Sequence, residues 1–261
     1  MRQRLIALLG VPWISVAGAQ GPLAQRMHDA GTRTVAFSTH SRPEVCGDGS
    51  TSMSDGLGSG RSIMYIEYSG IREWTPPPCL RGPLRVTVRM VEGQPSTLRV
   101  MAGPLPVLGD SVLDLGMVST SEAGAYLRSL ARTGDGRAAQ QALLPMILVD
   151  SQPRWEILAE AARDSKKPEN YRRRASDLLA RGAVSTLGAA AYADDQPAND
   201  RRTAVRALAQ RRNRDDDPVP QLLEIAQTNK HVDTRAAAIQ QLGQYADPRA
   251  ITLMATMLGV R

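Results

Sequence analysis

The only imidazoles of this chain are His28, His40 and His231, and chemistry built on any of them would need a second ligand or a base at a fixed spacing. None sits in an H-E-x-x-H helix motif. A histidine without convergent partners reads as a loop or surface residue. Ser62 follows Gly60-Arg61 and lacks the flanking glycines of a nucleophile elbow. Gly47-Asp48-Gly49 and Gly56-Leu57-Gly58-Ser59-Gly60 are glycine-rich, yet no Lys-Ser/Thr follows either and no strand-to-helix setting surrounds them, so they read as flexible loops. Asp215-Asp216-Asp217 has neither the spacing nor the distal Glu of a calcium loop and suits a capping linker between helices. These residues lead to an expectation of no catalytic residue, no metal site and no cofactor.

Cysteine chemistry points elsewhere. Cys46 and Cys79 are the only thiols, too few for a cysteine metal site and too far apart for a redox CxxC motif. The N-terminus explains how they would be used. Arg2 and Arg4 give a positive start, Leu5 to Val16 an apolar stretch, and Ala17-Gly18-Ala19 a small-residue cleavage site before Gln20, which together read as a secretory signal over residues 1–19. The run is too short for a bilayer crossing, which takes about 20 apolar residues. Export to an oxidising compartment, the periplasm or cell envelope, makes a Cys46–Cys79 disulfide the natural expectation. The formal charge is +6, of which Arg2 and Arg4 supply two units. That modest basic balance, interleaved with carboxylates, makes nucleic acid an unlikely partner for an exported protein.

The one pattern that recurs is an acidic or amide residue two positions before an arginine. Asp135 precedes Arg137, Asn170 precedes Arg172, Asn199 precedes Arg201, and Asp233 precedes Arg235. Nine positions after each Asp or Asn stands a leucine: Leu144, Leu179, Leu208 and Leu242. The arginines fall about 30 to 35 residues apart, a period that marks a stack of helical units. Asp and Asn are good helix N-caps, so each of the four is expected to open a second helix of its unit. An arginine in a first turn opposes the helix dipole. Its recurrence is therefore read as a ladder, each arginine pairing with the capping group of the adjacent unit.

The elements that must hold these residues follow from periodicity. Period-two alternation at Thr34–Phe37, Ser62–Tyr68, Leu84–Val91 and Thr97–Met101 predicts a small antiparallel β-domain of about five strands over residues 20–118, with Glu92-Gly93-Gln94-Pro95 as a turn. From Ser119 the period becomes helical. First helices are expected at Ser121–Arg132, Arg154–Asp164, Val184–Ala193 and Pro218–Thr228, with a terminal unpaired helix at Pro248–Leu258 acting as a lid. Pro145 should kink the second helix of the first unit. In both Asp217-Pro218 and Asp247-Pro248 a capping Asp precedes Pro at the first helical position.

The stretch Leu242-Gly243-Gln244-Tyr245-Ala246-Asp247-Pro248-Arg249-Ala250-Ile251 resembles the HEAT repeat family, whose units often carry a Leu-Gly-x-x-x-Asp-Pro-x-Ala junction, and the helix opening at Asp233 is similar to it too. The resemblance runs from about Ser119 to Leu258 and is weakest in the first unit. It implies an α-solenoid that scaffolds macromolecular contacts. The fold expectation is α+β: a disulfide-tied β-domain, then a HEAT-like solenoid over residues 119–261. In such a stack, the residues Ala138, Arg173, Arg202 and Ala236 would form one outward column and Ala142, Asp177, Arg206 and Gln240 its neighbour. Arg173, Arg202 and Arg206 would thus offer a basic face to a protein partner, an acidic one by charge. The expected function is that of an exported, non-catalytic binding scaffold without a membrane anchor. Its rivals are an enzyme or enzyme subunit with a site in the β-domain, and a basic nucleic-acid-binding solenoid that is not exported.

Overall fold

The computed structural model describes residues 22–49, 80–134, 136–151, 153–188, 191, 195–210 and 217–260. The signal-like leader, the Ser62–Tyr68 alternation, Cys79, Asp135, Asp215 and Asp216 lie outside the described residues.

Strands β1 (Thr34–Thr39), β2 (Leu84–Val91), β3 (Gln94–Ala102) and β4 (Val112–Met117) form one sheet in the order β3-β2-β1-β4. Glu92 and Gly93, at φ of 52° and 73°, make the two-residue left-handed turn that closes the β2–β3 hairpin without fighting its twist. β1 pairs with β2 antiparallel, Thr34 opposite Arg89. The all-antiparallel expectation fails at β4, which pairs parallel to β1, Thr34 opposite Val112. The reason is the connection: β3 ends at Ala102 beside Leu84, and residues 103–111 must travel the length of the sheet before β4 begins at its other end. They cross the face bearing Arg85, whose Nη1 donates to the Pro106 carbonyl.

On the opposite face Val35, Phe37, Val86, Val88, Leu98 and Val100 are buried, and at the central β1 the other side is buried too, at Ala36 and Ser38. Helix α1 (Leu23–Asp29) is tied by Arg26 to Glu122 of α2 (Thr120–Thr133) at 3.2 Å. Ser119 caps α2, accepting from the Glu122 N–H at 3.1 Å. Tyr126 of α2 meets Phe37 edge-on, centroids 6.1 Å apart.

Helix α3 (Gly136–Leu148) lies against β3, and the Gln141 Oε1 accepts from the Leu98 N–H at 2.8 Å, occupying a donor on an edge strand. It runs through Pro145 to Leu148. One continuous apolar core extends from the sheet through the helices.

The remaining helices are α4 (Trp155–Arg163), α5 (Glu169–Ser185), α6 (Gln196–Ala209), α7 (Val219–Thr228), α8 (Val232–Leu242) and α9 (Pro248–Met257). Two expectations are corrected here. Residues 184 and 185 end α5 instead of opening a first helix at Val184–Ala193. In turn α9 is no terminal lid: it packs beside α4 and α5, and α8 packs against α5, α6 and α7. Gly243 permits this closure, since a Cβ there would stand 2.6 Å from that of Ala180. None of the described helices is long and apolar enough to cross a membrane.

Arg42, only 7% exposed, joins the two halves. Its backbone N–H donates to the Leu148 carbonyl at 3.0 Å. Its Nε donates to the Ile147 carbonyl at 3.1 Å and its Nη2 to that of Ser151, so it satisfies acceptors that the end of α3 leaves without intrahelical partners. Burial lowers its pKa, with Arg154 adding to the effect and Asp150 opposing it. Arg42→Met should therefore cost about 2–3 kcal/mol, the penalty for stranding buried acceptors of a charged donor. A urea midpoint shift at unchanged m-value would measure it; a shift under about 0.5 kcal/mol, typical of surface substitutions, would contradict this role.

Candidate functional site

The recurring Asp/Asn-x-Arg positions come together where α6 meets α8. Arg201 grips Asp233 in a two-pronged contact, Nε to Oδ2 and Nη2 to Oδ1, both at 3.0 Å. The planar guanidinium fork matches a carboxylate in this way. Asp233 is 4% exposed. Burial pushes its pKa up, but the hydrogen bonds and charge of Arg201 outweigh that and leave it below the ordinary carboxylate value. The same pairing raises Arg201.

The structure corrects the capping roles. His231 is the N-cap of α8 and Asp233 sits inside the first turn. Pro168 is the N-cap of α5, and the Asn170 side chain accepts only from the Tyr171 N–H at 2.9 Å. Asp195 caps α6, taking the Ala198 N–H at 2.6 Å, which places Asn199 within the helix. A carboxylate within the first turn, past the cap, is free to face the neighbouring helix, and that is how Asp233 comes to meet Arg201. The other arginines of the series differ. Arg137 is exposed, while Arg172 and Arg235 are half-buried, each with an Nε that is buried and unpartnered.

The two outward columns do not form as expected. Ala138, Ala142 and Ala236 are buried in helix contacts. Arg202 is 8% exposed and donates to the Asn199 Oδ1. With α6 beginning at Gln196, its inward stripe is Ala198, Arg202, Val205 and Ala209, and Ala204 turns to solvent. Asp177 is engaged by Arg174, Arg181 and Gln244. Of the basic face, Arg173 and Arg206 remain exposed.

Other polar links escaped the periodic pattern. Arg249 donates to Asp247 at 2.9 Å and to Asp217 at 3.1 Å, so one side chain joins the two Asp-Pro helix starts. Asp247 accepts the Arg249 N–H at 2.8 Å; the Arg249 side-chain bond chiefly lowers the Asp247 pKa, against burial. The signal was present in two Asp-Pro pairs and an arginine directly after one of them. Tyr171 and Tyr245 donate to the carbonyls of Ala131 and Ala209, at 2.6 and 2.7 Å, tying helix ends across the stack. A lone tyrosine gives no such warning.

The Gly47–Gly49 and histidine candidates are taken up by structure, while Gly56–Gly60 lies outside the described residues. Gly47 N–H donates to the Leu80 carbonyl at 3.0 Å and Gly49 N–H to that of Ala102 at 2.8 Å, so these donors are spent inside the protein. The His28 Nδ1 lies 3.2 Å from the Gly93 carbonyl. His40 is exposed.

Residues 184–260 match the HEAT repeats family. The matched stretch opens at the end of α5 and closes just past α9, so it holds the Arg201–Asp233 pair and both Asp-Pro starts. This C-terminal part is a HEAT-repeat region. Neither curated proteins nor solved structures give a match to the chain.

Asp233 makes a testable case of linkage. Its folded pKa is lowered, so its contribution is complete above the unfolded carboxylate value near 4 and is lost as pH falls through the folded value. Asp233→Asn should cost about 2 kcal/mol at neutral pH, with the gap to the native protein closing as pH drops below about 4. Denaturation curves at pH 7 and at acid pH check this; a gap independent of pH would be inconsistent with an ionic contribution.

Proposed function

We propose that this protein is an exported, non-catalytic scaffold whose HEAT-repeat region binds another protein. The match over residues 184–260 carries the reading: stacked helix pairs expose long continuous surfaces, and repeat proteins use them for extended contacts. The partner is acidic by our reading, met by Arg173 and Arg206, both exposed on α5 and α6. Arg202 has no part in this face. The helix surface away from the buried stripes is where such a partner would lie.

The tripartite leader supports export and cleavage before Gln20. The Cys46–Cys79 disulfide belongs to the same reading. Its support is the antiparallel bridge between Gly47 and Leu80, the residues that follow the two cysteines in sequence, with backbone bonds of 3.0 and 2.9 Å. Expression with the native leader should yield a mature chain starting at Gln20 and resistant to alkylation until reduced. Intact mass decides it, and a full-length product with two alkylatable thiols would overturn export.

Affinity capture from envelope extract tests the binding reading. Capture should fall several-fold with Arg173→Glu and Arg206→Glu together and weaken with salt, because exposed charges are screened over about 8 Å at physiological ionic strength. Unchanged partners with an intact circular dichroism spectrum would remove this face from consideration.

A further inference from the structure

The sheet carries a second basic surface, on the face turned away from the helices. β2 and β3 pair with Thr87 opposite Arg99 and Arg89 opposite Thr97. These four residues share a side of the sheet, since Val86, Val88, Leu98 and Val100 alternate with them into the core. The result is a checkerboard of two guanidinium and two hydroxyl groups. Arg89 and Arg99 are exposed, and Thr87 and Thr97 are half-buried between them. Neither arginine has an ion pair or a side-chain hydrogen bond among the described residues. The crossing segment at Pro106 covers Arg85, further along β2, and leaves these positions open. Among the described strand residues, the carboxylate on this side is Asp114, opposite Ala36 on β4 and so three strands from Arg99. Its Oδ1 accepts the Gly116 N–H at 2.9 Å.

Two like charges on diagonal neighbours of a sheet repel mildly, and no ion pair among the described residues offsets them. Their spacing suggests what would. Successive same-side rows of a strand are about 6.7 Å apart, the separation of alternate side chains in any extended peptide. We propose that this checkerboard binds an extended acidic protein segment, with carboxylates at alternate positions meeting Arg99 and Arg89 in turn and the threonine hydroxyls donating beside them. Phosphates of a single strand have a comparable repeat, but no aromatic side chain among Thr34, Thr87, Arg89, Thr97 and Arg99 offers the stacking platform that such strands use. The inference shares with the preceding reading only the premise that the protein is an interaction module, and it concerns a different surface.

The test is fluorescence anisotropy on the full chain with a labelled octapeptide of alternating Glu and Thr. A peptide of the same composition with its Glu residues in one block, and an oligothymidine, serve as comparison probes. The alternating peptide should bind at low salt and more tightly than either comparison. Arg89→Glu with Arg99→Glu should weaken it by about tenfold, the scale of two exposed ion pairs turned to repulsion, with thermal stability unchanged. Arg173→Glu with Arg206→Glu should leave it unchanged. Absent binding, equal binding by the Arg89/Arg99 variant, or equal binding of the blocked peptide overturns the proposal, and tighter binding of oligothymidine reassigns the face to nucleic acid. Because partner capture is scored on the solenoid variant separately, failure here with that capture intact overturns this inference alone.

Discussion

The end of a helix is a set of carbonyl oxygens with no N–H to donate to them, and in this protein the end of α3 is buried. Arg42 resolves the conflict. It arrives from the segment after β1 and bonds to the carbonyls of Ile147, Leu148 and Ser151. Without such a donor the sheet could not sit against the first helix pair, because the junction would enclose unpaired acceptors. The segment that leaves β1 is thereby held against the end of α3. The Gln141 bond to the edge of β3 completes the join from the other side.

Much of the architecture was legible because its signals are local. The Glu92-Gly93 turn, the capping Asp247 and the change from period two to helical period at Ser119 depend on a few neighbouring residues each. What escaped depends on distance. Nothing in Val112–Met117 tells whether it runs with or against β1, since that is set by how far residues 103–111 travel. The failure at Arg202 is one of phase: aligning α6 by its arginine ignored that Asp195 opens the helix earlier, which rotates Arg202 inward. Asp233 was read as a cap because acidic residues usually serve there, while its actual partner, Arg201, belongs to another helix. At this one site an arginine does reach the next helix pair, but its partner is a buried carboxylate inside the helix and not a cap.

Two kinds of polar contact therefore organise the helices. Arg201–Asp233 is two-pronged with its carboxylate buried, and it ties α6 to α8. The Arg249 link to Asp217 and Asp247 is half-open to water, so it sets register more than it adds stability. Small residues let the backbones approach, as at Gly243 against Ala180, while the tyrosine hydroxyls of Tyr171 and Tyr245 collect carbonyls at helix ends. Interior order is thus spent on holding a surface still, and a rigid surface is what an interaction scaffold supplies.

The seating of α9 beside α4 has a consequence for how the chain comes into being. In a stack whose units touch only their sequence neighbours, each turn of the superhelix can settle as soon as it is synthesised. Here a flank of α4 and α5 waits for α9, which begins only at Pro248, well after α4 ends at Arg163 and α5 at Ser185. Until then that flank lacks part of its cover, and the nascent protein has exposed apolar surface of the kind that chaperones hold. The region should then lock as a whole, so that the final helix acts less as an end piece than as the keystone.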